Sequence, residues 1–194
     1  MAQISRSSLL TLEAYAKQRK EFRARVLSHK KNRTVRLGDH LTLIFEDELT
    51  VRYQIQEMLR IEKTFEEGGI QDELDAYGPL IPDGTNLKAT MMIEYDDPAV
   101  RKQQLAKLKG IEDKTYVQVD GFARVCAIAD EDLERENEEK TSSVHFLRFE
   151  FKPEMIVAIK KGAALALGID HPDYAVRIDE VAPQVQSALA EDFH

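Results

Sequence analysis

The sequence predicts an α+β fold: an antiparallel sheet with hairpins, helices packed on one face, and a long N-terminal helix. Two observations carry this prediction. Apolar residues recur at helical spacing near the N-terminus, and later segments alternate apolar with other residues and are joined by glycine-containing turns. The order helix, hairpin, helix and then strands joined by hairpins is typical of α+β proteins. A length of 194 residues without an internal repeat predicts one domain, residues 1–194.

The first expected element is one long helix over Ser5–Lys30, in which apolar residues repeat at helical spacing. It forms most of a basic arm, residues 1–36, that we expect to pack on the rest of the domain. Within this arm, Lys17–Arg36 holds nine basic residues against Glu21 alone, a local charge of +8 in a chain whose formal net charge is −8.

A basic arm of this kind contacts either an acidic protein surface or a nucleic acid. We favour the acidic body of the same chain or of a sister subunit, and the second case predicts a homo-oligomer. Phe22 is the one aromatic residue in the basic run, and no nucleic-acid-binding motif is present. Nucleic-acid binding is therefore the least favoured function.

The central stretch, Leu41–Phe65, predicts a strand, a sharp acidic turn and an amphipathic helix. Apolar residues alternate with others over the first five positions, as in a strand. A short strand at Val35–Leu37 precedes it, and Gly38-Asp39 forms the turn between the two. Asp47 or Thr50 is expected to cap the helix, because either side chain accepts a hydrogen bond from a free backbone N–H.

Glu62 falls in the middle of the apolar stripe of this helix. A carboxylate there must be paired, protonated or functional, because burying an unpaired charge is costly. The alternative is that the helix end simply reaches solvent before Gly68-Gly69. We predict that Glu62 is buried beside Glu57 and bonded to a cation or a histidine. The stripe consists of Val51, Ile55, Met58 and Phe65, and the candidate donors are Arg19, Arg23, Lys88, Lys140 and His145.

The remaining elements follow from the same patterns. Glu66–Lys88 is rich in Gly, Pro and Asp, shows no clear period, and is expected to be an ordered functional loop. The most specific local signal is Asp120-Gly121, which predicts a hairpin turn. The other expected elements are a strand Ala89–Tyr95, a helix from Pro98 to Gly110, strands Thr115–Val119, Phe122–Ala129 and Thr141–Phe151, a helix Pro153–Lys161 followed by a small-residue segment, and a last helix after Pro183.

Several function classes are excluded by composition and motif. Cys126 is the only cysteine, so one chain cannot build a disulfide, a cysteine zinc site or an intrinsic iron–sulfur cluster. Its strand neighbours predict a buried structural thiol. There is no bilayer-spanning apolar run and no signal peptide, so we expect a cytoplasmic protein without a membrane partner. The motifs of P-loop NTPases, α/β-hydrolases, zinc metalloproteases and dinucleotide-binding folds are absent.

His145 is the first candidate for chemistry. Alternation along Thr141–Phe151 puts it on the inward face with Leu147 and Phe149. One interpretation is a core histidine with satisfied hydrogen bonds, which is the commoner case. The other is a divalent-metal site of mixed histidine and carboxylate ligands. The candidate metal ligands are Glu57, Glu62, Glu94 and His145.

A second candidate is an anion-binding group. Lys140 and Ser143, at the start of the same strand, offer a cation and a hydroxyl, and Arg52 and Arg60 form a cationic ridge on the central helix. The favoured alternative is an ordinary polar start of a strand. The full set of candidate ligand-binding residues is Arg52, Glu57, Arg60, Glu62, Lys88, Lys140 and Ser143.

Four segments carry a family resemblance: FEDELTVRYQIQEMLRIEK, YGPLIPDGTNLKATMMIEY, KTSSVHFLRFEF and GIDHPDY. Together they resemble a conserved bacterial family of unknown function, a domain of unknown function, over nearly the whole chain. Members of that family are often encoded beside rubrerythrin-like and iron–sulfur/flavin oxidoreductase proteins. The resemblance implies a redox or metal context, and it supplies no activity and no catalytic residues.

The function expected from the sequence is therefore an accessory protein that binds a redox partner or the ligand of that partner. The partner implied by the resemblance is an iron–sulfur/flavin oxidoreductase or a rubrerythrin-like protein. The alternative is a metal-binding protein or an enzyme with a carboxylate/His pocket. Neither the cofactor nor enzymatic activity is decided by these residues.

Overall fold

The computed structural model describes residues 4–131, 135, 137 and 139–194. The α+β class and the long N-terminal helix are confirmed. The helices of the described residues are α1 (Leu12–Lys30), α2 (Glu48–Glu62), α3 (Glu67–Tyr77), α4 (Pro98–Lys107), α5 (Pro153–Lys160) and α6 (Pro183–Ala190). The strands are β1 (Thr34–Arg36), β2 (Leu41–Phe45), β3 (Asn86–Ile93), β4 (Thr115–Val119), β5 (Arg124–Cys126), β6 (Ile128–Ala129), β7 (Val144–Glu150), β8 (Leu165–His171) and β9 (Tyr174–Ile178).

The strands form two antiparallel sheets. The five-stranded sheet has the order β1-β2-β3-β7-β6, and the four-stranded sheet has the order β5-β4-β8-β9. One face of each sheet contributes to a shared apolar core, in which Leu43, Phe45 and Phe149 of the first sheet join Val117 and Leu167 of the second. The other face of the five-stranded sheet is therefore not part of this core. The site described below lies on that face.

The sequence pattern did not reveal the division into two sheets. Phe122–Ala129 was expected to be one strand, but it splits at Ala127. Cys126 pairs with Tyr116 in the four-stranded sheet, whereas Ile128 pairs with Arg148 in the five-stranded sheet. The expectation that Cys126 is buried is wrong: β5 is an edge strand, and its alternation turns the thiol to solvent.

The N-terminal helix is shorter than expected. It begins at Leu12 rather than Ser5, with the Thr11 hydroxyl accepting from the backbone N–H of Ala14 (3.3 Å). Ser5 and Ser8 instead close a short 3-10 turn, because serine side chains compete for nearby backbone groups. The helix packs along α2. Of the two expected caps, Asp47 is the N-cap of α2, accepting from Thr50 N (2.9 Å).

Two segments contain more regular structure than their composition indicates. Glu66–Lys88 was expected to be a loop, but most of it forms α3 and a following 3-10 turn, Gly78–Leu80. Ile70 and Leu74 bury one side of α3, although Gly68-Gly69 lowers its helix propensity. The small-residue segment after α5 is β8, a central strand buried on both faces, which hides the alternation that marks exposed strands.

The helices α2 and α3 and the N-terminal segment build a second apolar cluster beside the five-stranded sheet. Val51, Ile55 and Leu59 of α2 pack against Ile70 and Leu74 of α3. The Asp120-Gly121 prediction holds as well, because these residues occupy the turn between β4 and β5. Among the described residues, no helix has the length and apolar character needed to cross a membrane.

Candidate functional site

A groove lies on the outer face of the five-stranded sheet, where α2 and α3 leave the sheet incompletely covered. It consists of two adjoining cavities of about 240 and 310 Å³, which share Leu80 and Phe146 as lining residues. The floor is mostly apolar and half-buried. The groove is defined here by floor residues Ile44, Lys88, Thr90, Met92, Val144, Phe146 and Arg148, with Glu46, Thr50, Val51 and Gln54 along one side and Asp75, Ala76, Tyr77, Pro79 and Leu80 along the other.

Glu46 is the most unusual residue of the groove. It follows directly on β2, so alternation turns it to the same outer face as Ile44, and only 8% of it is exposed. Its two carboxylate oxygens accept hydrogen bonds from the hydroxyls of Thr50 (2.5 Å) and Thr90 (2.6 Å). No cationic side chain of the described residues forms an ion pair with it. A buried carboxylate held only by neutral hydroxyls is costly, and this cost needs an explanation.

The neighbouring cations are already engaged elsewhere. The buried Arg33 guanidinium donates to the carbonyl oxygens of Phe45 (2.9 Å) and Glu46 (3.1 Å) and to the carboxylate of Asp192 (2.5 Å). It also forms an ion pair with Asp47 (3.3 Å). Burial alone would raise the pKa of Asp47, but Arg33, the capped backbone and His29 hold it below its ordinary value. The positive charge of Arg33 thus compensates Asp47 and Asp192. Arg33 donates no hydrogen bond to the side chain of Glu46.

The second cavity contains the predicted ligand-binding residue Lys88. Its ammonium donates to the carbonyl of Pro79, and burial lowers its pKa. Arg148 in the same cavity is held by Glu131 through two hydrogen bonds of 2.8 Å and by Glu150 (2.6 Å). Both cations of this cavity are therefore engaged. The first cavity contains a carboxylate without an ion-pair partner among the described residues, whereas the second contains two cations that are already bonded.

Glu57 lies outside the groove, between α1 and α2. It accepts hydrogen bonds from Arg19 (2.7 and 2.8 Å), from the Tyr15 hydroxyl (2.6 Å) and from Arg60 (3.1 Å). The bonds from Arg19, followed by those from Tyr15 and Arg60, lower the pKa of Glu57 to about 2 despite its burial. This saturated ion cluster joins the basic arm to the domain and leaves little room for a ligand.

The prediction that Glu62 is buried is wrong. Glu62 is exposed, and among the described residues its carboxylate makes no hydrogen bond or ion pair. The buried face of α2 passes through Val51, Ile55 and Leu59, and the helix ends at Glu62 because Lys63 adopts a left-handed conformation (φ 57°). Phe65, expected on the same stripe, is 73% exposed.

The four proposed metal ligands do not converge. Glu57 lies between two helices, Glu62 is at a helix end, and exposed Glu94 accepts from the Thr42 hydroxyl (2.7 Å). His145 is fully buried in a different place, with both ring nitrogens bonded, as in the core-histidine interpretation. The sequence places these residues on separate elements and gives no information on their distances.

His145 has other carboxylate neighbours. Its Nδ1 lies 2.5 Å from Asp130, and its Nε2 lies 3.0 Å from the Thr141 hydroxyl and 3.8 Å from Glu112. Ligand-type atoms of Glu112, Asp130 and His145 all lie within 4.8 Å of one another. The two ring nitrogens point to opposite sides of the imidazole. An ion at Nε2 beside Glu112 would have to replace the contact of Nε2 with the Ser142 carbonyl oxygen (3.1 Å), while Asp130 orients the ring from Nδ1.

The predicted anion-binding group is not assembled. Arg52 pairs with Glu48 and donates to the carbonyl of Ser8 (3.3 Å), and Arg60 pairs with Glu57, so both arginines face the N-terminal region. Lys140 and Ser143 lie at the start of β7, next to β3, where the Ser143 carbonyl accepts from Ile93 N (2.8 Å). No contact joins the two groups within the described residues.

Sequence reasoning missed Glu46, Asp130 and Glu112. The signal for Glu46 was present, because it continues the alternation of Thr42 and Ile44 onto a face that also carries apolar residues. Asp130 had no such signal, since its position depends on a left-handed backbone (φ 49°) that brings its carboxylate to His145.

Comparison with known proteins gives one family match and a similar solved structure. A family model described as "Protein of unknown function (DUF3501)" matches residues 3–193. A crystal structure of a novel protein of unknown function from Burkholderia pseudomallei is similar to this chain, with 56% identity, complete coverage of both chains and a TM-score of 0.96. No curated protein matches.

Glu57 in the ion cluster and Glu62 at the exposed helix end provide a matched pair of variants. Glu57→Gln should lower the free energy of unfolding at pH 7 by about 1–3 kcal/mol, because three donors lose a charged acceptor. Glu62→Gln should change it by less than about 0.5 kcal/mol. Urea unfolding followed by circular dichroism measures both.

The same two variants test how the stabilising contribution of Glu57 depends on pH. The folded pKa of Glu57 lies below its ordinary 4.5, at about 2, so its stabilising contribution is present above pH 4.5 and is lost as pH falls toward 2. The difference between wild type and Glu57→Gln should shrink over that range. Equal effects of the two substitutions, or a difference independent of pH, would contradict this assignment.

Proposed function

We propose that this chain, which belongs to the DUF3501 family of proteins of unknown function, is an accessory protein that binds a small amphipathic ligand in the groove. The observation that carries the proposal is a mostly apolar, incompletely covered sheet surface that is lined by the buried carboxylate of Glu46. A face of this kind, left uncovered by the helices packed beside it, is typical of small-molecule sites.

The size and lining of the groove support binding. Ligand pockets for small molecules usually enclose roughly 300–1,000 Å³; of the two adjoining cavities, the one of about 310 Å³ lies at the lower end of that range and the one of about 240 Å³ lies just below it. Among the described lining residues there is no histidine, cysteine or serine. The hydroxyls of Thr50 and Thr90 both donate to the Glu46 carboxylate, so these three polar groups are bonded to one another at this end of the groove.

A groove-filling variant tests this function. Nile red, an uncharged apolar dye, should bind the wild type with one saturable site, and Val144→Trp should weaken binding at least about tenfold, because the indole fills the floor. Val157→Trp is the matched control, since Val157 is an exposed residue of α5 outside the groove lining. Fluorescence titration measures both, and equal binding by the two variants would contradict a site in the groove.

The partner of the accessory protein is proposed from the family resemblance alone. An iron–sulfur/flavin oxidoreductase or a rubrerythrin-like protein would supply or receive the ligand. Affinity purification from the native host, followed by mass spectrometry, should recover such an oxidoreductase. Repeated recovery of this chain alone under varied salt and redox conditions would contradict the proposal.

A second candidate function is metal binding at His145. The observation that favours it is the convergence of Glu112, Asp130 and His145, three buried or half-buried ligand-type side chains on separate segments. His145 Nε2 and Glu112 would hold a divalent ion such as zinc, manganese or iron, and Asp130 would orient the imidazole. This cluster replaces the carboxylates expected from the sequence.

Elemental analysis of untagged protein tests the second candidate. Zinc, manganese or iron should be present near one equivalent in the wild type and in Glu94→Gln, whose carboxylate lies elsewhere. Glu112→Gln should lose most of the metal, because one of two direct ligands is neutralised. Metal at trace level in the wild type, together with no rise in melting temperature on adding metal, would contradict it.

A further inference from the structure

We infer that the groove selects a ligand with a primary ammonium group at one end of a linear apolar body, and that the ammonium binds Glu46. This inference rests on the proposed function of the groove and specifies the class of ligand. It follows from how charge and apolar surface are arranged around one carboxylate.

Glu46 is a buried carboxylate whose partners among the described residues are two hydroxyls. Both oxygens accept a hydroxyl hydrogen bond, yet two neutral donors do not neutralise a carboxylate that is only 8% exposed. Buried carboxylates are normally paired with a cation. A ligand ammonium would supply the missing charge and add charge-assisted hydrogen bonds, which are stronger than neutral ones.

The cationic side chains near Glu46 do not compensate its charge. Arg33 is engaged with backbone carbonyls and with Asp47 and Asp192, and His29 is bonded to Asp47 at 2.5 Å. Lys30 is the one cationic residue among the described residues lining this cavity, and it forms no ion pair with Glu46. Lys88 lies opposite Glu46 in the sheet, but its ammonium donates to the Pro79 carbonyl instead. Among the described residues the Glu46 carboxylate therefore has no ion-pair partner, and it borders the cavity that a cation from solvent would enter.

The apolar body of the ligand would lie across the strands next to Glu46. Glu46 follows β2, its partner Thr90 lies on β3, and Phe146 pairs with Thr90 from β7. A path from Glu46 to Phe146 therefore crosses two strand spacings, about 10 Å. Met92, Val144 and Leu80 line the same cavity, so a linear apolar chain that leaves the carboxylate is in contact with apolar side chains.

Three probes of equal length and different charge test the inference: n-octylamine, n-octanol and n-octanoate, each used at pH 7 to displace Nile red. An alkylamine is protonated at this pH. Octylamine should bind at least about tenfold tighter than octanol, and octanoate should bind more weakly than octanol, because Glu46 attracts the first and repels the third.

Two variants identify the residue responsible. Glu46→Gln should remove the preference for octylamine over octanol, because the charge that attracts the ammonium is gone. Lys30→Met should strengthen octylamine binding, because the cation on the rim repels the ligand ammonium. Glu94→Gln is the control, since Glu94 is an exposed carboxylate outside the groove, and its selectivity should equal that of the wild type.

The possible results separate the inference from the function on which it rests. Equal binding of the three probes, or strongest binding of octanoate, would overturn the ammonium site while the groove remains a binding site. Failure of all three to displace Nile red would overturn both. If Glu46→Gln does not fold, the order of the three affinities in the wild type decides the question.

Discussion

The structure depends on one buried cation. Arg33 is 2% exposed and lies where four elements meet: the loop after α1, the end of β2, the start of α2 and the end of α6. Its guanidinium donates to Phe45 O, Glu46 O and Ala188 O and pairs with Asp47 and Asp192. The planar, always-charged guanidinium can satisfy several acceptors at fixed angles, which a lysine cannot do. Removing it would leave two carboxylates and several carbonyls unsatisfied in the interior.

This arrangement separates two neighbouring acidic residues. Asp47 turns toward Arg33 and His29 and caps α2, whereas Glu46 turns to the opposite side and enters the groove. Burial raises the pKa of Asp192 to about 6, even though Arg33 favours its charged form. The same constraint that joins the elements thus leaves the Glu46 carboxylate without a cation, and the groove acquires its character from this residue.

Sequence patterns predicted the elements better than their assembly. The alternation of β2, β4 and β7, the Asp47 cap and the Asp120-Gly121 turn depend on local chemistry and were predicted correctly. The two sheets, the strand β8 and the helix α3 were not, because a central strand loses its alternation and glycines mask a helix that tertiary packing stabilises. His145 was correctly placed in the core, but its partners Asp130 and Glu112 come from distant segments. Glu62 was placed wrongly, since a left-handed Lys63 ends the helix where the periodicity continues.

The central claim is that an uncompensated carboxylate in an apolar groove marks a binding site for a cationic amphipathic molecule. A crystal structure of the protein with n-octylamine tests this claim most directly. The account predicts the ammonium nitrogen within about 3 Å of a Glu46 carboxylate oxygen, with the alkyl chain lying over Met92 and Val144 toward Phe146. An amine bound outside the groove, or one whose ammonium lies at the Lys88 and Arg148 end with the chain toward Glu46, would contradict it.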